Sequence, residues 1–246
     1  MSRITKLDDY RSTLKGLDDW VPFLLRESGL PGPRGNLELA HAVAWEGCEQ
    51  QFNHFLTFHA DENTPEVFVV FCGVMGLGRL AANQPELFNR LREYASDPRW
   101  RIREAVATGL QLAGDQDLDL LVSEMKKWIK GNWYEKRAAA AALAEPRLLK
   151  QPKHAKQVLQ ILDRITASME TDDSARNESY KVLRQGMAYC WSVAVASLPE
   201  EGKPMMEQWL DSDDKDIRWV MKENLKKNRL VKMDAAWVQK SVKRLG

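Results

Sequence analysis

Three of the four histidines, His41, His54 and His59, fall within nineteen residues, beside Glu46, Cys48 and Asp61. Imidazole, thiolate and carboxylate all ligate zinc, so metal chemistry is the first to consider. The spacing argues against it: His54 and His59 diverge by about 140° on a helix, and neither HxxxH nor HExxH occurs. The run Asp211-Ser212-Asp213-Asp214-Lys215-Asp216 lacks the glycine and distal glutamate of a calcium loop, and is read as a helix N-cap. Gly73, Gly76 and Gly78 have no GK[ST] after them and no strand before them, so close helix packing or a kink is expected there in place of a phosphate loop. No serine, cysteine or histidine arrangement suggests a nucleophile. Cys48, Cys72 and Cys190 form no CxxC and sit among apolar neighbours, which predicts buried thiols in a reducing, cytoplasmic setting. No catalytic residue, metal or cofactor is expected.

Charge and aromatic residues give the better lead. Net charge is only +1, so nothing global attracts nucleic acid or a membrane. Locally, residues 126–164 hold ten lysines and arginines against three carboxylates, a balance of +7; residues 222–246 balance at +6 and the stretch between them at −5. Lys126, Lys127, Lys130, Lys136, Lys153 and Lys156 are candidates for one basic stripe along a phosphate backbone, with Trp133 or Tyr134 reaching a sugar or base. The competing expectation is that these cations coat solvated outer helices. Arg103, Arg137, Arg184 and Arg218 recur at similar places, either as a ladder of phosphate clamps or as partners of turn aspartates. Arg99 and Arg101 look freer of carboxylates and are better candidates for ligand contact. Of nine tryptophans, Trp20, Trp128, Trp191 and Trp209 fall on apolar stripes, whereas Trp100, Trp133 and Trp219 stand near helix starts, where an exposed ring could stack on a partner but packing between neighbouring repeats is the favoured expectation.

The elements that must position these residues are helices. Ile102-Arg103-Glu104-Ala105-Val106 is echoed by Ile217-Arg218-Trp219-Val220-Met221, each after an Asp-containing turn. Weaker copies lie 35 residues before Ile102 at Val67, 34 after it at Lys136, and 34 before Ile217 at Leu183. A helical unit repeating at that interval predicts a stacked α-solenoid, because no single helix pair buries its own apolar face. Thr64-Pro65 opens one helix and Ser96-Asp97-Pro98 separates two others, the second of which Gly114 is expected to end. Leu39, Val43 and Trp45 are expected to point inward from a helix capped by Asn36, and another helix is expected through Phe52, Phe55, Leu56 and His59. The five alanines Ala138 to Ala142 suit a helix packed close to its neighbour. No stretch alternates with period two for long enough to be a strand. The expected organisation is one all-α domain over 1–246, with an N-terminal cap over 1–36, five to six helix pairs over 37–230 and a C-terminal cap over 231–246. The longest apolar run, Val67 to Gly78, is too short to span a bilayer. Arg3, Lys6, Asp8 and Asp9, with no apolar stretch behind them, argue against a secretory signal.

An Asp turn followed by a hydrophobic residue and an arginine, as in Asp97…Ile102-Arg103 and Asp211/Asp213/Asp214…Ile217-Arg218, resembles the HEAT and armadillo class over roughly residues 60–230. Within it, the tryptophans and inner-helix arginines look most like the bacterial HEAT-like family that includes alkylpurine DNA glycosylases. The turn Leu30-Pro31-Gly32-Pro33-Arg34-Gly35-Asn36-Leu37 and the segment Ile217–Leu225 resemble relatives labelled as DNA-alkylation-repair-like. That resemblance implies a tryptophan and, four residues later, an aspartate that stabilises the cationic sugar left by a departing base. Here the position four after Trp133 is Arg137, which would oppose that charge, and Glu135 lies about 200° around the helix from Trp133. The reading is therefore an α-α superhelix serving as a non-catalytic binding scaffold for a protein or peptide, with DNA as the alternative partner and no membrane. Its candidate groove comprises Arg99, Trp100, Arg101, Trp133, Tyr134, Arg137, Arg184, Arg218 and Trp219.

Overall fold

The computed structural model describes residues 5–171 and 173–245, so residues 1–4 of the expected N-terminal cap and residue 246 of the C-terminal one lie outside the described residues. The protein is all-α: fifteen α-helices and no strand occur among the described residues. The chain divides into two compact units, Met1–Asp117 and Leu118–Gly246.

The first unit contains α1 (Lys6–Lys15), α2 (Val21–Glu27), α3 (Leu37–Glu46), α4 (Glu49–Phe55), α5 (Pro65–Leu80), α6 (Leu87–Tyr94) and α7 (Trp100–Gln116). Its odd-numbered helices pack in succession, α1 on α3, α3 on α5 and α5 on α7, while α2, α4 and α6 each pack against α5. Their starts are chemically marked. Pro22 and Pro65 occupy first turns, where a missing N–H costs nothing. Asn36 caps α3 by accepting from the Leu39 amide at 3.1 Å, and its own amide donates to the Tyr10 hydroxyl and the Glu27 carbonyl, both at 2.9 Å. One side chain thus ties α1, the end of α2 and the start of α3 together.

The glycines of α5 set how closely the helices approach, the first of the two uses expected of them. A Cβ on Gly78 would lie 2.4 Å from the Gly109 Cα of α7, and one on Gly76 would lie 2.4 Å from the Phe52 ring. Gly78→Ala must therefore separate two backbones in contact. The expected loss is about 3 kcal/mol, at the upper end for overpacking, read as a lowered urea midpoint.

Several local expectations are corrected. Trp45 is exposed, because it lies about 200° around α3 from buried Val43; the Arg79 guanidinium covers its ring at 5.6 Å. α4 ends at Phe55, so His59 is not on it, and Gly114 is buried inside α7, which continues to Gln116. Packing outweighs the roughly 1 kcal/mol that a helical glycine costs. Cys48 is exposed at the start of α4, whereas Cys72 and Cys190 are buried.

Glu46, at the end of α3, meets Arg11 and Lys15 of α1. Burial raises its carboxyl pKa, but the hydrogen bonds from Arg11 and Lys15 outweigh burial and leave it below the usual glutamate value. A depressed carboxyl contributes stability above the unfolded-state pKa and loses that contribution as pH falls through the folded value. Between about pH 6 and pH 3 the wild type should therefore lose more stability than Glu46→Gln, a difference that urea midpoints across that range will report.

The second unit contains α8 (Leu118–Trp128), α9 (Trp133–Leu143), α10 (Pro152–Ala167), α11 (Glu178–Ser197), α12 (Pro199–Glu207), α13 (Lys215–Leu225), α14 (Asn228–Met233) and α15 (Ala235–Leu245). Here α9, α11, α13 and α15 pack in succession, and α8, α10 and α12 form a second row. Asn132, Asn177 and Asp214 cap α9, α11 and α13 through side-chain oxygens, Asp214 taking the amides of Asp216 at 2.8 Å and Ile217 at 3.1 Å. That is the capping role expected of the acidic run. Ala138, Ala139, Ala140 and Ala142 are buried, and α9 packs against α11. Trp128 and Trp191 are core residues, but Trp209 is only half-buried, with its Nε1 donating to Asp163 at 2.9 Å. Asn224 is fully buried: its Nδ2 donates to the Met187 carbonyl of α11, and its Oδ1 accepts from the Ser192 amide, each at 2.8 Å. No helix of the described residues is long and apolar enough to cross a membrane.

Candidate functional site

In the first unit, the loop 29–36 folds over the starts of α3 and α7. Gly29 has φ +74°, a left-handed conformation that favours glycine, and a Cβ on Gly32 would lie 2.4 Å from the Gly29 carbonyl oxygen. The loop is held down by Arg101, which is only 6% exposed. Its Nη2 donates to the Gly32 carbonyl at 2.9 Å and to Asn63 Oδ1 at 3.3 Å, while Nε donates to the Glu62 carbonyl at 3.0 Å. The Glu62 carboxylate approaches Nε at 3.5 Å and also accepts from the amides of Trp100 at 2.8 Å and Arg101 at 3.4 Å, capping α7.

This arrangement encloses a cavity of about 330 Å³. Trp100, Glu104 and Thr108, spaced four apart, line it from one face of α7. Phe68 and Phe71 line it from α5, their rings stacked at 6.3 Å with 8° between planes. Leu37 enters from α3, and Leu30, Pro33 and Arg34 from the loop. Trp100 is 45% exposed and Leu37 46%, so large apolar surface faces solvent at its mouth. Exposed Arg34 and half-exposed Glu104 are opposite charges in the lining. With neither histidine nor thiol in that lining, the site is equipped to enclose an apolar or aromatic group and to hydrogen-bond its surroundings.

Arg99 and Arg101 were expected to be freer of carboxylates; both are corrected. Arg99 grips Asp97 with two bonds of 2.8–2.9 Å and also donates to the Ala60 carbonyl. Arg103 donates to the carbonyls of Asp97 and Pro98.

In the second unit the remaining groove residues form a chain of cations and rings. The Lys136 ammonium lies 4.1 Å from the Trp133 ring centre and 3.1 Å from Ser168 Oγ, and burial lowers its pKa. Trp133 stands edge-on to Tyr180 at 5.3 Å and donates to the Ala175 carbonyl. Arg176 meets Asp214 and Asp216; Arg184 meets Asp216 at 2.8 Å and covers the Trp219 ring at 3.6 Å. Burial, reinforced by Asp216, pushes the Tyr180 hydroxyl well above the usual phenol range. Arg137 lies alongside Gly186 of α11, and Arg218 donates to the Leu245 carbonyl. Tyr134 is half-buried in the first turn of α9. These contacts join neighbouring helices, with Trp133 and Trp219 each covered by a cation.

The lysines of the candidate stripe are spread over three neighbouring helices of the second unit. Lys126 and Lys127 lie on α8, Lys130 follows it, Lys136 is on α9, and Lys153 and Lys156 are on α10. Lys127 meets Glu124, Lys153 meets Asp119 at 2.7 Å and Lys156 meets Glu201 at 2.9 Å.

No family model matches this chain. No curated protein matches it either. Among solved structures, the crystal structure of an engineered protein is similar over 93% of this chain and 98% of that one, at 14% identity and a TM-score of 0.37. So distant a likeness assigns neither family nor function, and the functional reading rests on the sites themselves. Among the described residues, no group of three or more histidine, cysteine, aspartate or glutamate side chains could hold a metal ion. Leu37, Phe68 and Phe71, central to the cavity, were not among the sequence candidates; their only sequence signal is apolarity, which core residues share.

Proposed function

We propose that this protein is a non-catalytic binding scaffold of HEAT-like type whose first unit captures an apolar or aromatic side chain of a protein or peptide partner. The observation that carries this reading is the cavity beneath Trp100, with exposed apolar surface at its mouth and opposite charges in its lining. Recognition pockets of this kind bury an anchor and orient it with a few polar groups. The HEAT-like architecture is supported by the repeat interval of 34–35 residues and by the succession of alternate helices within each unit. A cytoplasmic setting, supported by three cysteines outside any disulfide, belongs to the same proposal.

Peptides selected from a random display library on the full chain should share an apolar or aromatic anchor. Trp100→Ser should weaken them by about tenfold or more, consistent with loss of a buried aromatic contact, and added salt should have little effect. Selection without a consensus, or a consensus indifferent to Trp100, would overturn the reading.

The alternative is a DNA-binding protein of the alkylation-repair type, favoured by the +7 segment and the resemblance in sequence. It predicts DNA binding that weakens by orders of magnitude between about 50 and 200 mM salt. Glycosylase activity is the less favoured form of it, because Arg137 stands where a carboxylate is needed; release of methylated base from alkylated DNA, abolished by Trp133→Ala, would establish it.

A further inference from the structure

The second unit holds an open cleft of about 650 Å³ that involves none of the residues considered so far. Pro146, after α9, and Val193 and Ala196 of α11 give it an apolar side. Lys226, Lys227 and Arg229, at the junction of α13 and α14, give it a cationic side, and no carboxylate lines it. Tyr189, 42% exposed, joins the two. The Arg229 guanidinium lies 4.6 Å from the Tyr189 ring centre and donates to its hydroxyl, and the Lys227 ammonium lies 6.0 Å from the same ring.

The pairing of these cations differs from that of others in the unit. Arg176, Arg184 and Arg244 each meet an aspartate, and Lys226 meets Glu223. Among the described residues, neither Lys227 nor Arg229 meets a carboxylate. Both are instead positioned by an aromatic ring, which attracts a cation without neutralising it. The cleft therefore presents two oriented positive charges beside an apolar surface.

We propose that this cleft docks an acidic peptide segment, with carboxylates on Lys227 and Arg229 and an adjacent apolar side chain against Pro146, Val193 and Ala196. A guanidinium offers a carboxylate a two-pronged contact, and the apolar side adds burial that a free anion would not use. Single-stranded nucleic acid fits less well: bases need an aromatic face for stacking, and here the ring already holds the two cations. This goes beyond the Trp100 reading, in a different unit and with a different ligand chemistry.

The test is fluorescence anisotropy of a fluorescein-labelled peptide of glutamates flanking a leucine pair, titrated with the full chain at low and at physiological salt. Binding should weaken by about tenfold or more in the double variant Lys227→Gln/Arg229→Gln, whose thermal midpoint should change little because these cations are partly exposed and meet no carboxylate among the described residues. Lys153→Gln/Lys156→Gln, which removes the same charge from α10, should leave affinity unchanged. Tyr189→Phe should retain more affinity than Tyr189→Ala, since it keeps the ring that holds the cations. Absence of binding at low salt, or equal weakening in the α10 control, would overturn the proposal. So would oligothymidylate that displaces the peptide and loses its own binding in the Lys227/Arg229 variant, because the cleft would then be a nucleic-acid site.

Discussion

Replacing Arg101 by alanine is expected to lower the unfolding free energy by about 3 kcal/mol, the lower end of the range for breaking a buried pair, because Glu62 keeps some solvent contact. The guanidinium joins three separate stretches of chain: Gly32 in the loop, Glu62 and Asn63 before α5, and the first turn of α7. Alanine would leave two part-buried carbonyls without this donor and remove the side chain that holds the loop down. The second expected result is functional: the loop lines the Trp100 cavity, so peptide affinity should fall even at temperatures where the variant remains folded. Arg101→Lys should restore only part of either effect, because an ammonium cannot reproduce the planar fork. Urea unfolding followed by peptide binding separates the two effects, and a stability loss under about 1 kcal/mol would show that the loop is held by other contacts.

Asn224→Leu is expected to cost about 2–4 kcal/mol, from the loss of partners to two buried polar groups at about 1–3 kcal/mol each. Asn224 reaches from α13 into α11 and spans the Met187 carbonyl and the Ser192 amide. Leucine matches its size but offers neither donor nor acceptor, so α11 would have to satisfy those groups itself. Differential scanning calorimetry will report the loss as a lower midpoint. A change under about 1 kcal/mol would mean that α11 closes its own hydrogen-bond ladder at little cost.

Features governed by contacts close in sequence were legible before the structure. The helix starts at Asn36, Pro65 and Asp214, the close approach at the α5 glycines and the burial of Trp128 and Trp191 follow from local chemistry or helical period. Trp100 was legible as a residue at a helix start after a proline turn, but its exposure was the less favoured of two expectations. Arg101 was misread because its partners Glu62 and Asn63 lie 38–39 residues earlier and Gly32 lies 69 earlier. The ion pairs of Lys153 and Lys156 were not legible for the same reason: Asp119 lies 34 residues away on α8, and Glu201 lies on α12. Phe68 and Phe71 carry the same apolar signal as Val67 and Val70, and only the placement of the loop 29–36 makes them cavity walls.

The carboxylate of Glu62 caps a helix that starts 38 residues downstream, through the amide of Trp100. That amide belongs to a residue nearly half exposed, so its hydrogen exchange should be slow for a reason remote from its own surroundings. Its exchange rate becomes a reporter on the segment before α5: whenever that segment opens, the first turn of α7 loses its cap in the same event. The two elements should therefore exchange as one cooperative unit, with the boundary of local unfolding falling outside the pair.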